Sequence, residues 1–202
     1  MMIRHAERFP IRNMGDPMDA LLTEQGKRDA FAYGEAGAVL SPLTLYHSPV
    51  ERCRQTADHI AAGVRNSGGE AAVSGVLDAL GGPYAVGNLQ EIPQLISEYG
   101  IRNFLRMWFD GRLPHGHLMP LAEAARIELD CIRDASSRHD SSVILVTHDW
   151  NIMIVREHLL QLPHEEVGYP GFLDGLSYYR PDGREALLAH TIDGAEEVTL
   201  RL

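Results

Sequence analysis

At 202 residues the chain is long enough for one sizeable domain with a proper core and too short for two comfortable ones. Hydrophobic residues make up 45% and charged residues 23%, the balance of a soluble globular protein, and no apolar run approaches a membrane span or a secretory signal core. The formal net charge of −10 speaks against nucleic acid or an anionic membrane as the main partner, so an anionic ligand must be held by a local cluster of cations.

Two cysteines, Cys53 and Cys131, fall inside helical patterns rather than a paired framework, which suits a reduced, cytoplasmic compartment. Lys27 is the one lysine among the basic residues, a bias we read as base composition of the source genome. The placement of a few arginines carries more information than their number.

Residues 1–4 read as the end of a buried strand, so His5 lies where strand becomes loop, at the carboxyl edge where open α/β sheets bind ligands. Residues 12–18 read as a connector. A helix is predicted over 21–40, capped by Thr23, with Ala30, Phe31, Tyr33 and Ala38 on its apolar face and Pro42 beyond its end. Residues 43–46 form a short β-prone run that stops at His47-Ser48-Pro49. A second helix follows over about 50–64, with Pro49 preset for its first turn.

Residues 71–77 make a plausible third strand. Over 81–120, Gly, Pro and aromatic residues mix with helical pieces such as 101–109, and we read a helical insertion lying over one edge of the sheet, above the active site. An amphipathic helix is predicted over 121–136, with Leu121, Ala125, Leu129 and Ile132 on one face. The continuous run 142–147 suits a strand buried on both faces, and a helix over 150–160 follows it. Residues 175–180 and 186–192 read as a hairpin around Pro181-Asp182-Gly183, and 197–202 as a last edge strand. Strands alternating with helices predict a single α/β domain over 1–202, a three-layer α/β/α sandwich with a mostly parallel sheet.

Three strand-to-helix junctions carry polar residues of one kind: Arg4, His5 and Arg8; then Ser48 to Arg52; then His148 and Asp149. An imidazole can act as a nucleophile, and guanidiniums bind phosphate oxygens bidentately. If the strands are neighbours, two histidines and three arginines converge, a set that suits a dianionic phosphoryl group. Alone, R-H-x-x-R reads equally as a solvated charged turn.

Taken together these stretches resemble the histidine phosphatase superfamily, which includes the phosphoglycerate mutases and histidine acid phosphatases. Arg4-His5-Ala6-Glu7-Arg8 looks like its R-H-x-x-R motif, and the stretch from Ser48 to Ala57 is similar to S-P-x-x-R-x-x-Q-T-A. Val146-Thr147-His148-Asp149 looks like the late strand that supplies a second histidine, and Leu22-Thr23-Glu24-Gln25-Gly26 matches L-T-x-x-G. The resemblance implies that His5 attacks phosphorus, that Arg4, Arg8 and Arg52 hold the phosphoryl oxygens, and that His148 is a further donor. His5 must then present a neutral ring nitrogen, its other nitrogen tied to a backbone acceptor. No metal or cofactor is expected, since the arginines supply the charge that magnesium supplies elsewhere.

One branch of the superfamily takes its proton donor from a middle-loop glutamate, another from an aspartate directly after the second histidine. His148-Asp149 and the extended Arg8-Phe9-Pro10 favour Asp149; the second motif and the small size look more like the other branch, leaving Glu91, Asp78 and Glu7 as lesser candidates. The donor needs a raised pKa, which arginines oppose and bound phosphate restores. Only three residues precede Arg4, so the first strand is short or the start lies upstream.

Plainer readings apply elsewhere. His47 reads as a solvated loop residue; His59, His139, His158, His164 and His190 as surface or helix-face residues; His115 and His117 as a poor metal pair without a carboxylate or cysteine partner. Phe104, Met107, Trp108, Phe109 and Trp150 read as packing residues, and Cys53 as helix filler. The expected activity is phosphomonoester hydrolysis through a phosphohistidine on His5, on a small phosphorylated substrate, with neither nucleic acid nor membrane as partner and a homodimer left open. The alternatives are a phosphomutase and a catalytically inactive phosphoryl-binding module.

Overall fold

The computed structural model describes residues 1–11, 20–87, 91–113, 116–191 and 200–201. Seven strands form one sheet among the described residues: β1 (Met2–Arg4), β2 (Leu43–His47), β3 (Ala71–Val76), β4 (Ser142–Thr147), β5 (Gly175–Tyr179), β6 (Ala186–His190) and β7 (Leu200–Arg201). Their spatial order is β3-β2-β4-β1-β5-β6-β7. The first four in that order are parallel; β5 runs antiparallel to β1, and β6 and β7 continue antiparallel. Seven α-helices accompany them among the described residues: α1 (Glu24–Ala36), α2 (Glu51–Asn66), α3 (Ile92–Tyr99), α4 (Ile101–Phe109), α5 (Leu121–Ser137), α6 (Asp149–Leu159) and α7 (His164–Val167).

Strand alternation sorts the core into layers, because successive side chains point to opposite faces. Ile3, Ile144 and Val146 pack with Cys53, Ala57, Ile60 and Val64 of α2 and Ala30 of α1. Met2, Val143 and Leu145 pack on the other face with Leu129 and Ile132 of α5 and Ile152 and Val155 of α6. The result is the expected three-layer α/β/α arrangement. Helices α1 and α2 cross without intervening side chains: a Cβ on Gly34 would lie 2.1 Å from the Ile60 carbonyl oxygen, and one on Gly63 2.0 Å from that of Phe31.

Two sequence expectations change. The first helix begins at Glu24, because the Thr23 hydroxyl accepts the Gly26 N–H as N-cap, and Leu22 instead bridges to Arg8. Its last turn, Gly37–Leu40, is a 3-10 helix. The insertion over 81–120 is helical where it is described, as α3 and α4. Its stripe of Tyr84, Phe104, Leu105, Trp108 and Phe109 packs on Ala124, Ala125, Met153 and Ile154 of α5 and α6, extending that helical layer. The connector predicted over 12–18 lies outside the described residues. Among those described, no helix is long and apolar enough to cross a membrane.

Candidate active site

The parallel strands β1, β2 and β4 end together, and their register brings Arg4 beside Thr147 and His47 beside Val146. The residues that follow each strand meet at this edge. His5 N–H donates to the Thr147 carbonyl at 3.0 Å and Ser48 N–H to that of Val146 at 3.0 Å, so both turns hang from β4.

His5 is 2% exposed, and its Nδ1 lies 2.8 Å from the Ala6 carbonyl oxygen. A carbonyl only accepts, so Nδ1 carries the hydrogen and Nε2 keeps its lone pair. Burial, then the charge of Arg52, pushes the His5 pKa well below 6.5, keeping the ring neutral. The His148 ring stands edge-on to His5 with centroids 5.6 Å apart. An Arg52 Nη2–H donates to His148 Nδ1 at 3.2 Å, so the proton of neutral His148 sits on Nε2 and is donated to Ser48 Oγ at 2.8 Å. Burial and the neighbouring arginines push His148 down to about 3.

Arg4 is held on three sides. Nη1 donates to the Pro170 carbonyl at 2.6 Å, Nη2 pairs with Asp149 Oδ2 at 3.1 Å, and the guanidinium lies over the Phe172 ring at 4.4 Å. Arg8 donates to the Phe9 carbonyl and lies within electrostatic reach of Arg4 and Asp149. The Nε atoms of Arg4 and Arg8 are buried without a hydrogen-bond partner among the described residues. Arg4, His5, Arg8, Arg52, His148 and Asp149 are thus gathered in one place. Such a concentration of positive charge in an acidic protein is an electrostatic trap for an oxyanion.

The rest of the motif residues build the scaffold. The Thr56 hydroxyl accepts Ala6 N–H and donates to the Arg52 carbonyl, tying the opening loop to α2. Gln55 Oε1 accepts Leu22 N–H. The Thr23 hydroxyl donates to the Glu7 carboxylate at 2.5 Å, and a Cβ on Gly26 would lie 2.0 Å from the Glu7 carbonyl oxygen. Glu7 is therefore engaged in holding α1 to the loop.

The other lesser donor candidates stand elsewhere. Asp78 is exposed in the 3-10 turn after β3, and Glu91 lies 3.1 Å from His117. His117 therefore has a carboxylate partner that the sequence reading missed, whereas His115 lies outside the described residues. Cys53 is 0% exposed with its thiol pushed up to about 12 by burial, in keeping with helix filler. Phe104 and Trp108 are core, as expected.

Two histidine readings are corrected. His47 is 5% exposed because it ends the central strand β2 and bonds the Ser48 carbonyl through Nδ1. His164 is 3% exposed, flanked by Glu157 and Glu165. The donor atoms of these three residues converge within 4.8 Å, but Arg106 Nη2 already pairs with Glu157 at 2.7 Å and Glu165 at 2.5 Å. They form an ionic lock between α4, α6 and α7 and would hold a metal poorly. Sequence reasoning also missed Ser48 as the partner of His148, and Pro170 and Phe172 on Arg4; only the turn-forming Gly168, Pro170 and Gly171 hint that residues 168–174 form a fixed loop. Two cavities, of about 430 and 380 Å³, open at the opposite edge of the sheet around Met1, Leu40 and Leu43 and contain none of these residues.

Fold and site together define an α/β protein with a cluster of histidines and arginines at the carboxyl edge of its parallel strands. The model of the histidine phosphatase superfamily (branch 1) matches residues 1–180, and the chain belongs to that superfamily. Among solved structures it is similar to mycobacterial glucosyl-3-phosphoglycerate phosphatase in complex with inorganic phosphate (20% identity, 92% of this chain and 93% of that one, TM-score 0.61). It is also similar to phosphoserine phosphatase from Entamoeba histolytica in complex with 3-phosphoglyceric acid (18% identity, 97% and 95%, TM-score 0.62). A third likeness is to YhfR of Bacillus stearothermophilus (18% identity, 96% and 92%, TM-score 0.57). At these identities the likeness shows the shared fold. No curated protein sequence matches the chain.

Proposed function

We propose that this protein is a phosphomonoesterase that works through a phosphohistidine on His5. The observation that carries the reading is the His5–Ala6 hydrogen bond. It leaves the Nε2 lone pair free on a ring kept neutral beside Arg4, Arg52 and His148. Nε2 attacks phosphorus as the P–O ester bond breaks, and Asp149 gives its proton to the departing alkoxide. Water then attacks phosphorus with the Asp149 carboxylate as base, and the P–N bond returns its pair to Nε2. Arg4, Arg8 and Arg52 spread the charge of the equatorial oxygens through both steps. A dianion arriving next to His148 offsets the repulsion from the arginines, so this ring gains a proton on binding and donates to the phosphoryl group.

Asp149 is favoured as donor over Glu91, Asp78 and Glu7 because its carboxyl group lies at the site beside Arg4 while the others are engaged or exposed elsewhere; a bound dianion that takes over Arg4 frees it to carry the proton. The test is turnover of p-nitrophenyl phosphate and of a panel that includes phosphoserine, glucosyl-3-phosphoglycerate, sugar phosphates, nucleotides and inositol phosphates. Phosphate release by the wild type, with an acid-labile phosphoenzyme lost in His5→Ala, is the expected result. Retained turnover in His5→Ala would remove His5 as nucleophile. An isomerised product without phosphate release would make the protein a mutase, and oxyanion binding without any turnover would make it a binding module.

A further inference from the structure

Behind the His148–Asp149 turn, two polar side chains meet in full burial. Asn151 Nδ2 donates to Glu128 Oε1 at 2.6 Å, and both residues are 0% exposed. Asn151 sits in the first turn of α6, which His148 caps and Asp149 begins; Glu128 faces it from α5. Neither the second carboxyl oxygen, Glu128 Oε2, nor the amide oxygen, Asn151 Oδ1, has a partner among the described residues.

A carboxylate whose only polar contact among the described residues is a neutral amide is costly at this depth, and so is an amide oxygen without a donor there. One proton on the carboxyl group answers both: it removes the charge and adds an O–H donor next to an amide that lacks one. We propose that Glu128 is a positioning residue, working as an uncharged carboxylic acid that braces Asn151 and, through it, the turn carrying His148 and Asp149. Its importance for catalysis rests on the phosphatase reading above; its proton does not.

Burial raises Glu128 to about 8, in the direction this geometry requires. The titratable groups near it are Tyr84, from the start of the insertion, and Cys131, one turn along α5; both feel its charge. Burial pushes Tyr84 well above 10 and Cys131 up to about 12, so neither titrates alongside Glu128. As pH rises through the Glu128 transition, a buried negative charge appears behind the anion site and the brace loses its donor.

The test measures tungstate, a dianion over the whole range used, binding by calorimetry to the wild type and to Glu128→Gln, whose amide mimics the neutral acid. Wild-type affinity is expected to fall by up to about tenfold per pH unit above about pH 8, the limit for one linked proton, while Glu128→Gln matches it at neutral pH and falls far less. Equal pH dependence in the two proteins overturns the proposal. Infrared spectra of the isotope-labelled wild type give a readout that does not need the variant. A protonated carboxyl band is expected at neutral pH that bleaches as pH rises, and its absence overturns the proposal too. No tungstate binding at any pH would sink the oxyanion site itself, together with the brace's role in it. Linkage to Glu128 in a protein without turnover would sink only the phosphatase reading.

Discussion

The guanidinium carbon of Arg4 lies over the ring of Phe172, 4.4 Å from its centroid, and the same ring stands 5.9 Å from that of His5. One aromatic side chain from a loop near the end of the chain thus backs both a phosphate-binding candidate and the candidate nucleophile near its start. The loop holds the Arg4 backbone as well: Arg4 N–H donates to the Asp174 carbonyl at 2.9 Å, and Leu173 N–H donates to the Arg4 carbonyl at 3.2 Å. Restricting a long, flexible arginine in this way lowers the entropy lost when it binds an anion.

Phe172→Ala is therefore expected to lower kcat/KM by roughly tenfold, the equivalent of a desolvated cation–π contact of about 1–2 kcal/mol. Phe172→Tyr, which keeps the ring face, should retain most of the activity. Unchanged kcat/KM in Phe172→Ala would show that Pro170 and Asp149 suffice to place Arg4.

Asp149→Asn is expected to slow substrates with poor alkoxide leaving groups by roughly 10²–10⁴-fold, the usual contribution of a general acid. Activated aryl phosphates, whose leaving groups need no proton, should be affected far less. A plot of log kcat against leaving-group pKa checks this. An equal loss across the series would assign the proton to another residue.

Acid stability follows in part from the two buried imidazoles of the site, His5 and His148. In the unfolded chain a histidine takes its proton near pH 6.5, whereas His148 is pushed down to about 3 in the folded protein and His5 is also lowered. Below pH 6.5 the unfolded state therefore binds more protons, so stability falls as pH drops, by at most about 1.4 kcal/mol per pH unit for each histidine. Above pH 6.5 both states are neutral and neither histidine contributes a slope. Urea midpoints at several pH values should show a shallower acid slope in His148→Gln than in the wild type. Identical slopes would mean that His148 is protonated in the native state.

Gly63→Ala should destabilise the protein by about 1–3 kcal/mol, because its Cβ would meet the Phe31 carbonyl oxygen at 2.0 Å and force α1 and α2 apart. Specific activity well below the melting temperature should be nearly unchanged, since neither the glycine nor its contact belongs to the pocket. A melting temperature equal to that of the wild type would show that the helix crossing yields at no cost.

Much of this architecture is legible locally. The run from Ser142 to Thr147 is a strand because its apolar, largely β-branched residues can be buried on both faces, and it is one with the same bounds in the structure. Thr23 caps α1 as its residue type and position predict. Where α1 starts was not legible, since the pairing of Leu22 with Arg8 competes with helix and depends on a neighbouring segment. The burial of His47 and His164 escaped for a related reason: a histidine's exposure depends on what packs over it, which its immediate neighbours do not reveal.

Periodicity, capping and turn chemistry act over a few residues, so the succession of strands and helices and the three junctions that carry His5, Arg52 and His148 can be read along the chain. Which ring nitrogen of His5 is free, how Ser48 and Arg52 orient His148, the backing of Arg4 by Phe172 and the meeting of Glu128 with Asn151 could not be read that way. Those contacts join segments far apart in the chain, and their existence depends on the packing of whole layers.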